Sequence, residues 1–137
     1  MILSAPAIIL TAAITLLAVL ISLAFAIRVA RARRRTGVSA PAMSGPQELE
    51  YALRVQANTV EQIVIFLPSL WLAALYFPGW WAPILGLIWC LGRIIYCFVY
   101  GSQAAQRVPG FLPTVLSTII LWVLALIGIV RAWMASV

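Results

Sequence analysis

The chain has 137 residues, 65% of them hydrophobic and only 9% charged, with a mean hydropathy of +1.11. That balance excludes an ordinary water-soluble domain and marks an integral membrane protein. The net charge of +6 comes from nine arginines against three glutamates, with no lysine and no histidine. This excludes Ser-His-Asp and Cys-His catalysis and histidine metal sites. Nucleic acid is not an expected partner either, since no basic surface interleaved with aromatics sits on a soluble module.

The length accommodates four helices of about 20 residues with short connections, so the expectation is one all-α, four-helix membrane domain spanning residues 1–137. The first helix is expected over 6–27, an uncharged stretch long enough to span. Ala24-Phe25-Ala26 has the look of a signal-peptide cleavage site. No positive segment precedes the apolar run, however, the run is too long, and the arginines follow it, so it reads as a retained span. Residues 28–46 then carry Arg28, Arg31, Arg33, Arg34 and Arg35 and end in a Gly/Ser/Pro-rich segment. The positive-inside rule makes this loop cytoplasmic and puts the N-terminus on the opposite side. Topology and contact with anionic membrane lipid account for these arginines without any further role.

The second helix is expected over 47–77, starting after Pro46 and carrying Pro68 within it. Its first half holds all three acidic residues, Glu48, Glu50 and Glu61, together with Arg54, Gln56, Asn58 and Gln62. Glu50, Arg54, Asn58 and Glu61 follow spacings of four, four and three and therefore share one helix face. An ionisable group at membrane depth costs about 2.5–3.5 kcal/mol to insert, so such a wall is a candidate site for an ion or polar ligand. Pro78-Gly79-Trp80-Trp81 reverses the chain and supplies aromatic residues suited to the far interface.

The third helix is expected over 82–107, ended by Pro109-Gly110, with Arg93, Tyr96, Tyr100 and Arg107 along one face. Tyrosines at this spacing are commonly interfacial packing. Arg93, set between Gly92 and Ile94, needs an anionic partner or a route to water, and Glu61 or a ligand could each serve. Cys90 and Cys97 lie two turns apart on this helix, roughly 10 Å along its axis, too far to bridge. The fourth helix is expected over 111–134.

Arg54-x-x-x-Asn58-x-x-Glu61 early in the second helix, preceded by Ala32-Arg33-Arg34 and Gly45-Pro46, resembles the MAPEG superfamily, the membrane-associated proteins in eicosanoid and glutathione metabolism. Arg93-x-x-Tyr96-x-x-x-Tyr100 followed by Arg107 continues the resemblance into the third helix. The resemblance implies a homotrimer of four-helix subunits with glutathione between neighbours near the cytoplasmic face. Carried over by position, Arg54, Asn58, Glu61, Tyr96 and Tyr100 would hold the tripeptide, joined by Arg33 and Gln56 of the adjacent subunit. Arg107 would face the sulfur, and Arg34 would assist the electrophile. Arg93 is carried as a further glutathione-site residue if it does not pair with Glu61. Two positions depart from the leukotriene-forming members: Gln62 stands where they have a tyrosine, and Ser102 where they have an arginine.

The chemistry of these residue types agrees with that implication. Arginines take carboxylates in bidentate fashion, and Glu61 can accept an ammonium. A thiol of pKa about 8.5 is only a few per cent ionised at neutral pH. Lowering it by about two units takes roughly 2.7 kcal/mol of differential stabilisation and makes the thiolate dominant. The cofactor would then supply the nucleophile, directed at a lipophilic electrophile or a lipid hydroperoxide. Two other classes compete: a non-catalytic lipid-binding scaffold, also represented in the superfamily, and a small proton-coupled multidrug efflux protein. The latter places an essential glutamate in its first helix, which here has no acidic residue.

Overall fold

The computed structural model describes residues 5–101 and 104–136. It is all-helical: α1 (Ala5–Thr36), α2 (Gln47–Tyr76), α3 (Trp81–Val99), a short 3-10 turn (Ala104–Arg107) and α4 (Val108–Met134). All four α-helices are long and apolar enough to cross a membrane. Large apolar residues such as Leu16, Val64, Leu91 and Ile119 cover the outside of the bundle, as lipid contact requires, while Ala18, Val55, Phe66, Leu70, Trp89 and Leu121 fill its centre.

Three boundaries differ from expectation: the end of α1, the end of α3 and the start of α4. The arginine segment 28–35 is helical rather than loop, and α1 runs on to Thr36. Arginine is a good helix former, and cations in the last turn meet the negative end of the helix dipole. The helix stops at Gly37, whose φ of +70° is the left-handed conformation that glycine tolerates at a helix end. The third helix, in turn, ends at Val99 instead of running to Arg107. Tyr100 is extended (φ −63°, ψ 116°), and Arg107 sits in the separate 3-10 turn. Pro109 and Gly110 lie in the first turn of α4 and do not end the preceding helix. Proline is favourable there because a first-turn N–H has no intrahelical acceptor.

Gly110 has a second reason to be in α4. A Cβ on it would lie 2.3 Å from the Tyr96 backbone N and Cα. The backbones of α3 and α4 therefore touch at Tyr96, and only a residue without a side chain fits. At Gly92, one turn back on α3, a Cβ would meet the Thr114 methyl at 2.7 Å and the Gly110 carbonyl at 3.1 Å. These two glycines fix Tyr96, Arg93 and Thr114 in one layer.

Most hydroxyl groups inside the bundle are tied internally, whereas Trp89 Nε1 and Arg93 Nε are buried with no partner among the described residues. Thr11, Thr59 and Thr118 each donate to the carbonyl four residues back, and Trp71 Nε1 donates to Thr15 Oγ1 at 3.1 Å, joining α2 to α1. Pro68 lies within α2, and the neighbouring Ser69 hydroxyl donates to the Ile65 carbonyl at 2.9 Å. Arg28 reaches across from α1 to donate to the Cys97 carbonyl at 2.9 Å, and also to the Cys97 sulfur. That carbonyl belongs to the last turn of α3, where a cation satisfies an orphan acceptor.

Candidate functional site

The polar wall of α2 is present as a continuous face. Arg54 and Glu61 are exposed and Asn58 is half-buried, while Leu49, Ala52, Leu53 and Val55 on the other sides are buried. Arg54 borders an open hollow of about 360 Å³ with Met43, Ser44, Glu50, Leu53 and Ala57. Neither Arg54 nor Glu61 makes a hydrogen bond or ion pair among the described residues. The ion pair found among them is Arg35–Glu48 at 3.3 Å, on the surface. An exposed carboxylate on a membrane-crossing helix calls for a covering partner or water.

From α3 a ladder of cations and rings meets this wall. The Arg93 guanidinium carbon lies 5.7 Å from the Trp89 ring centre and 4.7 Å from that of Tyr96. Tyr96 packs edge-on to Tyr100 at 5.3 Å, and Tyr100 packs edge-on to Tyr51 of α2 at 5.4 Å. Arg107 lies 4.6 Å over the Tyr100 ring and donates through Nε to the Gly101 carbonyl at 3.2 Å. The end of the helix at Tyr100 thus folds Arg107 back onto the last turn of α3. Two contacts join ladder to wall: Tyr51–Tyr100, and a hydrogen bond of 3.0 Å from Arg93 to Asn58 Oδ1.

Arg93 departs from the sequence reading. It pairs with no carboxylate among the described residues, and with zero exposure it offers no surface to a ligand within the subunit. One Nη donates to Asn58 and the other to Thr114 Oγ1 at 2.7 Å, while Nε has no partner among the described residues. Burial between Trp89 and Tyr96 decides this, since cation-π contact and two hydrogen bonds replace the ion pair.

Arg33 and Arg34 stand apart. They line a different open hollow, of about 370 Å³, with Gly37, Val38, Ser39 and Ala40, and no hydrogen bond or ring contact links them to Arg54 or the ladder among the described residues. Gln56 is half-buried and, two residues from Arg54, lies about 200° around α2 from it. The expected set is therefore not gathered in one place. Arg54, Asn58 and Glu61 share a face of α2 with Tyr96, Tyr100 and Arg107 beside it, Gln56 lies on another face of α2, and Arg33 and Arg34 line a hollow of their own. Gln62 is half-buried, and Ser102 lies outside the described residues.

Two residues of this assembly escaped the sequence reading. Tyr51 precedes Arg54 by one helical step, a spacing that could have placed it on the same wall. Thr114 is one of three hydroxyl residues, with Ser117 and Thr118, on an otherwise apolar stretch of α4, and all three are buried. Their spacing marks a packing face but gives no sign that one would receive an arginine.

The sequence profile of the MAPEG family matches residues 11–127. An uncharacterized protein of Synechocystis sp. is 48% identical over 118 residues, which are 86% of each chain. Human microsomal glutathione S-transferase 2 is 35% identical over 92% of this chain and 86% of its own. Guinea pig (Cavia porcellus) leukotriene C4 synthase is 35% identical over 93% of this chain and 85% of its own. With a match over nearly the whole length and four helices able to cross a membrane, the chain belongs to the MAPEG family and is an integral, multi-pass membrane protein.

Proposed function

We propose that this protein is a membrane-bound glutathione transferase that works as a homotrimer, with each glutathione held between neighbouring subunits. The observation that carries this reading is the division of the polar residues of α2 and its surroundings between two sides. Arg54, Asn58 and Glu61 face one way, with the Tyr96–Tyr100–Arg107 ladder beside them, and Gln56 faces the other. A ring of identical subunits joins unlike surfaces head to tail, so each interface receives one side from each neighbour. Such an arrangement also covers Arg54 and Glu61, which a lone subunit leaves exposed.

In this site Arg54, Asn58, Glu61, Tyr96 and Tyr100 hold the tripeptide from one subunit, and Arg33 and Gln56 complete it from the next. Glutathione carries two carboxylates and one ammonium, which suit arginine forks and a single glutamate. Arg107 stabilises the thiolate, and Arg34 assists the electrophile. The thiolate attacks a lipophilic electrophile, forming a carbon–sulfur bond as the leaving group departs or the acceptor takes a proton. With a lipid hydroperoxide, two glutathiones are oxidised to the disulfide while the hydroperoxide becomes an alcohol and water. The connection between α1 and α2 lies on the cytoplasmic side, where the arginines favour it.

Subunit mixing tests the shared site. Glu61→Gln impairs one side, and Arg33→Ala with Gln56→Ala impairs the other, so each homotrimer loses tight glutathione binding. Every mixed trimer contains one intact interface, so random one-to-one assembly restores about one quarter of the wild-type sites. No restoration in verified mixed trimers contradicts a site built from two subunits.

A further inference from the structure

Arg93 is a buried charge with no carboxylate beside it among the described residues, and its surroundings give it a definite polarity. A guanidinium has only donors. The Asn58 atom it meets at 3.0 Å must therefore be the amide oxygen, which turns the amide nitrogen away from Arg93. That nitrogen has no partner among the described residues and is not enclosed. Thr114 is fixed in the same way. Its hydroxyl donates to the Phe111 carbonyl at 2.6 Å and accepts from Arg93 at 2.7 Å. The guanidinium plane is held between Trp89 and Tyr96, and the close approach of Gly92 and Gly110 clamps the layer.

We propose that Arg93 is a positioning residue that makes Asn58 a one-way hydrogen-bond donor toward the site, so that Asn58 selects a carboxylate oxygen of the ligand. The inference rests on the glutathione reading and deepens it. An unconstrained asparagine can flip and serve either a donor or an acceptor, and so discriminates poorly between a carboxylate and an amide. Asn58, with its oxygen held by Arg93, cannot flip without opposing two sets of N–H donors. A carboxylate offers that N–H a charged acceptor at either oxygen, whereas an amide offers one neutral acceptor and an N–H that would oppose it, so the one-way donor favours the carboxylate.

The test compares glutathione with its two mono-amides, each lacking the charge of one carboxylate, using wild type and Asn58→Asp. The aspartate side chain of that variant keeps an oxygen for Arg93 and offers the ligand a second oxygen in place of N–H. The wild type binds glutathione more tightly than the mono-amide altered at the carboxylate that Asn58 reads. In Asn58→Asp that preference falls by about tenfold or more, while the ratio for the other mono-amide stays the same. Arg93→Lys keeps a donor for the oxygen and retains the wild-type preference. An equal loss for all three ligands in Asn58→Asp overturns the proposal, because a merely structural residue weakens them alike. A measurement without ligand separates this from the glutathione reading. Unfolding of ligand-free Asn58→Asp occurs at or above the wild-type temperature, and that of Asn58→Ala below it. If the aspartate is as damaging as the alanine, the assigned polarity is wrong whether or not glutathione binds. If the wild type binds no glutathione, the functional reading falls while the stability comparison still decides the polarity.

Discussion

Gly110→Ala is the substitution for which the structure gives the sharpest stability forecast. The added methyl would sit 2.3 Å from Tyr96 N and Cα and 2.6 Å from its Cβ. Carbon atoms pack at about 3.5–4.0 Å, so α3 and α4 must separate by more than about 1 Å at this point. Two of these three neighbours are backbone, which cannot rotate aside as a side-chain end can. Overpacking of this kind costs about 1–3 kcal/mol, with the upper end expected here, against a gain of up to about 1 kcal/mol from replacing glycine in a helix. The net loss from these two effects is about 2 kcal/mol. Gly86→Ala is the matched control. Its methyl would meet the Ile14 Cγ2 at 2.8 Å and the Leu70 Cδ1 at 3.1 Å, both ends of flexible side chains. Unfolding of the detergent-solubilised protein, followed by circular dichroism across a denaturant or temperature series, gives the comparison. Gly110→Ala is expected to be clearly the more damaging. A Gly110→Ala protein as stable as wild type, or more stable than Gly86→Ala, refutes the close backbone contact.

Other substitutions bear on the site and its supports. Glu61→Ala removes the carboxylate assigned to the glutathione ammonium and should weaken binding by about 1.5–3 kcal/mol, roughly 10- to 100-fold, in a calorimetric titration. Arg107→Ala should keep glutathione binding while losing the thiolate absorbance, and equal absorbance in both proteins would remove Arg107 from its role. Arg28→Gln loses the charge-assisted bond from α1 to the Cys97 carbonyl, and a fall in stability of about 1–2 kcal/mol is expected with glutathione affinity little changed. Removing the exposed Arg35–Glu48 pair should change stability by less than about 1 kcal/mol, and a larger loss would show that it does more than decorate the surface.

The sequence carries the number of helices and the polar wall of α2 because both rest on strong local signals, the apolar runs and the recurrence of Glu50, Arg54, Asn58 and Glu61 on one face. The boundaries at 28–36 and 99–108 are less legible. Arginine is as compatible with a helix as with a charged loop, and Gly37 rather than the charge run sets the end of α1. Pro109-Gly110 reads as a terminator in one dimension, yet Pro suits a first helical turn and Gly110 is needed where α4 touches Tyr96. The partner of Arg93 could not be read from periodicity. Glu61 has the complementary charge, but Asn58 and Thr114 have the geometry, and nothing in the α4 sequence distinguishes Thr114 from the neighbouring Ser117 and Thr118 as the acceptor. The separation of Gln56 from Arg54 follows from helical spacing. What gives it meaning is that the residue between them, Val55, is buried in the subunit while both polar flanks remain accessible.

The most direct measurement of the central claim is the ultraviolet difference absorbance of the detergent-purified protein on adding glutathione across a pH series, with S-methylglutathione as control. The account predicts a saturable thiolate band at neutral pH, absent from the control, with its midpoint below the value of about 8.5 for a free thiol. Binding with no thiolate band, or a midpoint equal to that of free glutathione, would contradict activation of the sulfur by this site.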